Sequence, residues 1–174
     1  MTRGNERGFM LIELLIVVAI ISIIAAIAVP GLLRARLTGN ETSAIASLKD
    51  VTSSQVAYSA ACGNGAYAAT FVVLGTAPLG GSEGFISADL GSVAAPQKSG
   101  YNFTLGGSAG SAAGPNDCNG TATISGYYAT ARPMALNTTG TRSFAVNTGN
   151  TIWQLPGGAA PTEPFAASGG TPIQ

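Results

Sequence analysis

The hydrophobic pattern changes twice along the chain. Residues 9–29, FMLIELLIVVAIISIIAAIAV, are apolar apart from Glu13 and Ser22. No face of that run is polar, and roughly 20 apolar residues suffice for a helix to cross a bilayer. Pro30 and Gly31 follow. Proline removes a backbone donor and clashes with the preceding turn, so the pair predicts a helix break, as a bend or a locally melted turn. Beyond it the pattern becomes periodic. Ala44, Leu48, Val51 and Tyr58 fall near one face, Gln55 shares the stripe, and Ile45 and Val56 flank it. A period near 3.6 residues marks an amphipathic helix. Gly39-Asn40 weakens it. The prediction is one long helix over residues 9–61, apolar all round in its first half and one-faced in its second.

After residue 61 the periodicity stops. Glycine and proline punctuate residues 62–100, which read as an irregular connector with a short helical turn over 70–74. Strand signals come next. In GYNFTL, Tyr101, Phe103 and Leu105 alternate with Asn102 and Thr104. TATISGYYATARP is β-rich and ends at Pro133, and TRSFAV and TIWQL flank Asn147-Thr148-Gly149-Asn150, a hairpin turn with a glycine free to take positive φ. Three or four antiparallel strands laid on the second half of the helix make an α+β fold. The last stretch, residues 156–174, is rich in Pro and Gly and predicts a flexible or extended tail, with Phe165 and Ile173 as the side chains able to dock. The boundaries are a leader at 1–8, an apolar helix at 9–33, its amphipathic half at 34–61, a head at 62–155 and a tail at 156–174.

Composition narrows the chemistry. Eight Lys+Arg balance eight Asp+Glu, and only 9% of residues are charged, against about a quarter in an ordinary globular domain. No basic footprint for nucleic acid is present. There is no histidine, so the commonest general base and metal ligand is missing. No catalytic set, cofactor motif or metal-ligand spacing stands out, and the chain reads as a non-enzyme. Asp117, Asn116 and Asn119, with Asp89 and Glu83 remote in sequence, are the candidate calcium ligands, but one aspartate in a Gly/Asn turn fits turn formation better than six to eight oxygen ligands. Cys62 and Cys118 are an even pair. If the segment after the apolar run is exported, an oxidising compartment predicts a disulfide between them.

The leader decides between three readings of the apolar run. Arg3 and Arg7 against Glu6 make a positive flank, which holds the amino terminus in the cytoplasm. A secretory signal would have a shorter apolar core, with Ala26-Ile27-Ala28 as its cleavage site. A plain single-pass anchor leaves Glu13 unexplained, because a carboxylate inside a span is costly. Arg7-Gly8-Phe9, Glu13 four residues after Phe9, the unbroken apolar run and Pro30 together resemble the class III signal of type IV pilins and pseudopilins. Met10 departs from the Thr common after that Phe.

The resemblance implies cleavage between Gly8 and Phe9 by a prepilin peptidase, N-methylation of Phe9, and retention of the apolar helix. It implies extraction by an assembly platform protein and a cytoplasmic ATPase from the bacterial inner membrane, where the precursor sits. The product is a helical polymer of this chain at the cell surface, serving adhesion, motility or DNA uptake. Removing Arg3, Glu6 and Arg7 leaves six basic and seven acidic side chains, net −1 (8 − 2 = 6; 8 − 1 = 7). Glu13 would sit beside the new Phe9 amine of a neighbouring subunit and set register, since a paired buried charge costs less than an unpaired one. Arg34 and Arg36 would face headgroups, solvent, or a neighbour's Glu41 or Asp50. A cysteine pair at 62 and 118 departs from the family's frequent C-terminal pair. The alternative within the resemblance is a type II secretion pseudopilin in a short periplasmic pseudopilus. The alternative outside it is an exported binding protein with an ordinary signal peptide.

Overall fold

A computed structural model describes residues 10–173. Residues 1–36 and 37–174 form two units, and helix α1 (Leu11–Ala61) contributes to both. The break expected at Pro30 and Gly31 is absent: both residues are helical, inside a continuous α1. Proline costs one rung of the hydrogen-bond ladder. Ending a helix within an apolar run would strand several N–H and C=O groups, which is the larger penalty where water is excluded.

The second unit has one main sheet. Its strands are β2 (Gln97–Lys98), β3 (Tyr101–Gly107), β5 (Tyr127–Pro133), β6 (Arg142–Asn147), β7 (Trp153–Pro156) and β8 (Thr171–Pro172), all antiparallel and in the order β2-β3-β5-β6-β7-β8. A second, two-stranded sheet pairs β1 (Tyr67–Ala68) with β4 (Thr123–Ile124). Two short helices, α2 (Phe71–Gly75) and α3 (Ala88–Gly91), lie in the connector. Thr70 caps α2, its hydroxyl accepting from the Val73 N–H at 3.3 Å.

The four longest strands, β3, β5, β6 and β7, stand within the stretches that carry strand signals. The sheet is wider than three or four strands because β2 and β8 add two-residue edges, too short to show a period. The run TATISGYYATARP is not one strand: β4 and β5 belong to different sheets. In the β6–β7 turn Asn150, not Gly149, takes the positive φ of 58°, and its N–H donates to the Asn147 carbonyl at 2.9 Å.

The core lies between the later half of α1 and one face of the main sheet. Ala44, Leu48, Val51 and Tyr58 of α1 pack in one cluster with Tyr101, Phe103, Tyr127, Ala129, Ala131, Phe144 and Val146. Register explains the fit: Ala131 pairs with Phe103 on one side and Phe144 on the other, a small residue between two rings. Polar side chains on α1 are buried only with partners. Gln55, fully buried, accepts from the Ala68 N–H and donates to the Ala68 carbonyl, both at 2.9 Å. It holds β1 as a neighbouring strand would.

Glu41 is the other buried polar anchor on α1. Its Oε1 accepts from the N–H and the hydroxyl of Thr141 at 2.8 and 2.7 Å, and its Oε2 accepts from Arg142 Nε and Nη2 at 2.9 and 2.5 Å. Arg142 also donates to Gln154 and lies over the Phe144 ring, 5.5 Å from its centroid. Burial alone would raise the carboxyl pKa, but the bonds from Thr141 and Arg142 together hold it below its ordinary value. Glu41 is therefore spent inside the chain and is no partner for a neighbour's Arg34 or Arg36.

The last segment is docked, not a free tail. Phe165 covers the sheet face that carries Tyr128 and Trp153, and Ile173 turns back to the core cluster. The Phe165 ring stacks on Trp153 at 5.5 Å and meets Tyr128 at 6.1 Å. Tyr128 donates to the Pro161 carbonyl at 2.6 Å, Ser143 to Gly157 at 2.8 Å, and Arg132 to Gly158 at 2.7 Å. Glu163 accepts from Asn147 Nδ2 and the Ala109 N–H. β8 pairs with β7, and the Ile173 N–H donates to the Ile152 carbonyl at 2.8 Å.

Two outcomes follow from this packing. Phe165→Ala should lower unfolding free energy by about 3 kcal/mol and should make the chain after residue 156 the first site of limited proteolysis; an unchanged melt and digestion pattern would show that the ring does not hold the segment. The folded Glu41 pKa is depressed, so its stabilisation is full above the ordinary Glu pKa and is lost as pH falls through the folded value. Chemical denaturation from about pH 7 to about pH 3 should show this loss in the wild type. Glu41→Gln should be less stable at neutral pH and show less acid dependence; equal slopes would remove Glu41 as the acid-sensitive anchor.

Candidate functional site

The first unit presents a surface, not a cleft. From Leu11 to Leu33 every large apolar side chain of α1 is exposed, Leu11 at 79% and Ile27 at 77%. An 18-residue window of this helix has a mean hydropathy of 3.0 and no buried residue, so the helix is long and apolar enough to cross a membrane. Ser22, the polar residue inside the run, bonds its hydroxyl to the Val18 carbonyl at 2.8 Å and so presents no unmet donor to an apolar surrounding.

Glu13 lies in the first turn of α1. Its Oε2 accepts from the Met10 N–H at 3.2 Å. The carboxylate thus turns toward the start of the helix, where unpaired N–H groups and the positive end of the helix dipole favour it. This contact gives Glu13 a partner within its own chain that its spacing from Phe9 did not suggest. Gly8 and Phe9, the expected cleavage and methylation residues, lie outside the described residues.

In the second unit Cys62 and Cys118 form a disulfide, with Cα atoms 4.8 Å apart and a sequence separation of 56. It joins the end of α1 to the 115–121 loop, and the Cys118 N–H adds a 2.8 Å bond to the Cys62 carbonyl. Asp117, a candidate calcium ligand, serves the same junction. Its Oδ2 accepts from the Tyr58 hydroxyl at 2.8 Å, and its Oδ1 from the N–H groups of Asn119 and Thr121 at 2.9 and 2.6 Å. Burial, then the Asp117 hydrogen bond, pushes the Tyr58 pKa up, so its hydroxyl stays a donor. Asp117 Oδ1 thus closes the turn and Oδ2 ties it to α1. Among the described residues no cluster of three or more His, Cys, Asp or Glu could hold a metal ion.

The sequence signals were uneven. The apolar run and Glu13 were legible from one stretch of chain. The roles of Glu41 and Gln55 were not, because each partner lies far away or in an irregular segment; the available signal was a Glu and a Gln on the core-facing stripe of an amphipathic helix.

Comparison with known proteins agrees with this surface. The model of the prokaryotic N-terminal methylation motif matches residues 3–29. Among curated relatives, the type IV wide pilus major component PilA4 of Thermus thermophilus is 52% identical over 54 residues. That stretch is 31% of this chain and 41% of the relative, so the chain spans less than half of the protein it matches. No solved structure matches. The chain therefore carries a prokaryotic N-terminal methylation motif on the first part of α1, and over 54 residues it is similar to a type IV pilus component.

Proposed function

We propose that the chain is the structural subunit of a type IV pilus-like filament. The observation that carries this is a helix with apolar side chains exposed all round from Leu11 to Leu33, with Glu13 in its first turn and the methylation motif spanning residues 3–29. Such a surface is stable in lipid or against other apolar helices, and the two states can exchange. In lipid the chain is a membrane-anchored precursor with its head exported. After a prepilin peptidase cuts between Gly8 and Phe9, and Phe9 is N-methylated, an assembly platform and its cytoplasmic ATPase move the helix from lipid into a polymer of the same chain. Between helices the gain comes from close packing, not from the hydrophobic effect.

Glu13 has two successive partners in this scheme. Before assembly it accepts from its own Met10 N–H. In the polymer it pairs with the Phe9 amine of a neighbour, which avoids an unpaired buried cation. No catalytic role enters: the product is the fibre. The likeness to a pilus major component favours a surface pilus over a short pseudopilus.

Mass spectrometry of the assembled chain should find Phe9 at the amino terminus with one added methyl. A terminus at Val29 would instead mean ordinary signal cleavage. Glu13→Ala should leave membrane insertion intact and lower fibre yield by about tenfold or more, the scale of losing a buried charge partner. Wild-type yield from that variant would remove the register role.

A further inference from the structure

Most charges of the second unit are consumed within it. Glu41 pairs with Arg142, Asp89 with Lys98 at 2.7 Å, Asp117 with Tyr58, and Glu163 with Asn147. Lys49 and Glu83 make no ion pair among the described residues. Each stands beside exposed or accessible apolar surface of the opposite form.

Glu83 belongs to a protruding loop. Residues 79–83, Leu-Gly-Gly-Ser-Glu, are all exposed, and Leu79 is 79% exposed. Gly80 takes a positive φ of 82°, and the Gly81 N–H closes a turn on the Pro78 carbonyl at 2.8 Å, so the tip is a formed turn. The base of the loop is fixed to the core. Phe85 packs edge-on against Tyr58 at 5.4 Å, and its carbonyl accepts from the Ser54 hydroxyl at 2.8 Å. At the same base Gly75 lies against both Gly84 and Gly91 so closely that a Cβ on any of the three would strike backbone. The result is an apolar, acidic knob on a rigid stem.

Lys49 belongs to a groove. One wall is α1 with Lys49 and Thr52, and the other is the β6–β7 turn with Asn150 and Thr151. Ile152 and Ile173 supply its apolar surface, held together by the bond from the Ile173 N–H to the Ile152 carbonyl. The groove is therefore apolar with one cation and several hydroxyl or amide groups at its edge.

Helix geometry keeps these two features apart in one copy. At about 100° per residue, Lys49 and Ser54 point about 140° apart around α1. The knob stem sits at Ser54 and the groove at Lys49, on opposite flanks of the core-facing stripe. A knob and a socket on opposite flanks make a head-to-tail contact, which propagates without closing unless the rotation returns on itself.

We propose that the loop tip of one copy seats in this groove of the next copy, with Leu79 against Ile152 and Ile173 and the Glu83 carboxylate against the Lys49 ammonium. The occupant is a second copy of this chain, chosen by charge and apolar complementarity. The contact rests on the filament reading given above, and it adds a specific bond between heads to the packing of the apolar helices.

A photo-crosslinking benzophenone amino acid in place of Leu79, in the full chain in a host that assembles fibres, tests it. Irradiated fibres should give a dimer whose crosslinked peptide contains residues 49–53 or 150–152. Charge reversal gives the second arm. Lys49→Glu and Glu83→Lys should each lower recovered fibre by about tenfold, as like charges meet, and the double reversal should restore most of it. Fibres that form normally but crosslink elsewhere, or that are indifferent to both single reversals, overturn this contact and leave the filament reading intact. A wild-type chain that forms no fibre overturns both.

Discussion

A helix with apolar side chains exposed on every face cannot remain in water. From Leu11 to Leu33 nothing among the described residues covers that surface, and at about 25 cal/mol per Å² of apolar area the penalty for leaving it wet is large. The molecule must place this segment in lipid or against other helices. That requirement explains why Ser22 returns its hydroxyl to Val18 and why α1 stays helical through Pro30 and Gly31. In such surroundings each unmet backbone group costs more than a locally weakened turn.

The second unit solves a different problem with few charges. Its surface is largely Gly, Ala, Ser and Thr, so irregular segments have little bulk to bury. Each is instead fixed to α1 by one strong polar anchor. Glu41 holds the entry to β6 through Thr141 and Arg142, and Gln55 holds β1. Tyr58, Asp117 and the Cys62–Cys118 disulfide hold the 115–121 loop. On the far side of the sheet, Phe165 and Glu163 do the same for the last segment. A low charge count thus goes with specific use of the charges present.

The long helix was legible because its signals are local: an unbroken apolar run, then a 3.6-residue stripe through Ala44, Leu48, Val51 and Tyr58. The strand at Tyr101–Gly107 was legible through alternation, and that at Arg142–Asn147 through the turn tetrad that follows it. Three features were not. Pro30 follows a rule for helices in water that fails where stopping costs more. The edges β2 and β8 are two residues long and carry no period. The docking of residues 157–173 depends on Tyr128 and Trp153, which reach the far face only once register is set. The apolar run, Glu13 and the cysteine pair could be picked out beforehand, whereas the groove at Lys49 and Ile152 exists only in the folded chain.

The central claim is that residues 11–33 leave lipid for a core made of the same helix from other copies. Electron cryo-microscopy of fibres sheared from cells expressing the chain tests it most directly. The account predicts density traceable to this sequence, with those helices packed together at the fibre centre and Glu13 beside the amino terminus of a neighbour. Fibres that lack this chain, or that carry it with the apolar helix outside the core, would contradict the account.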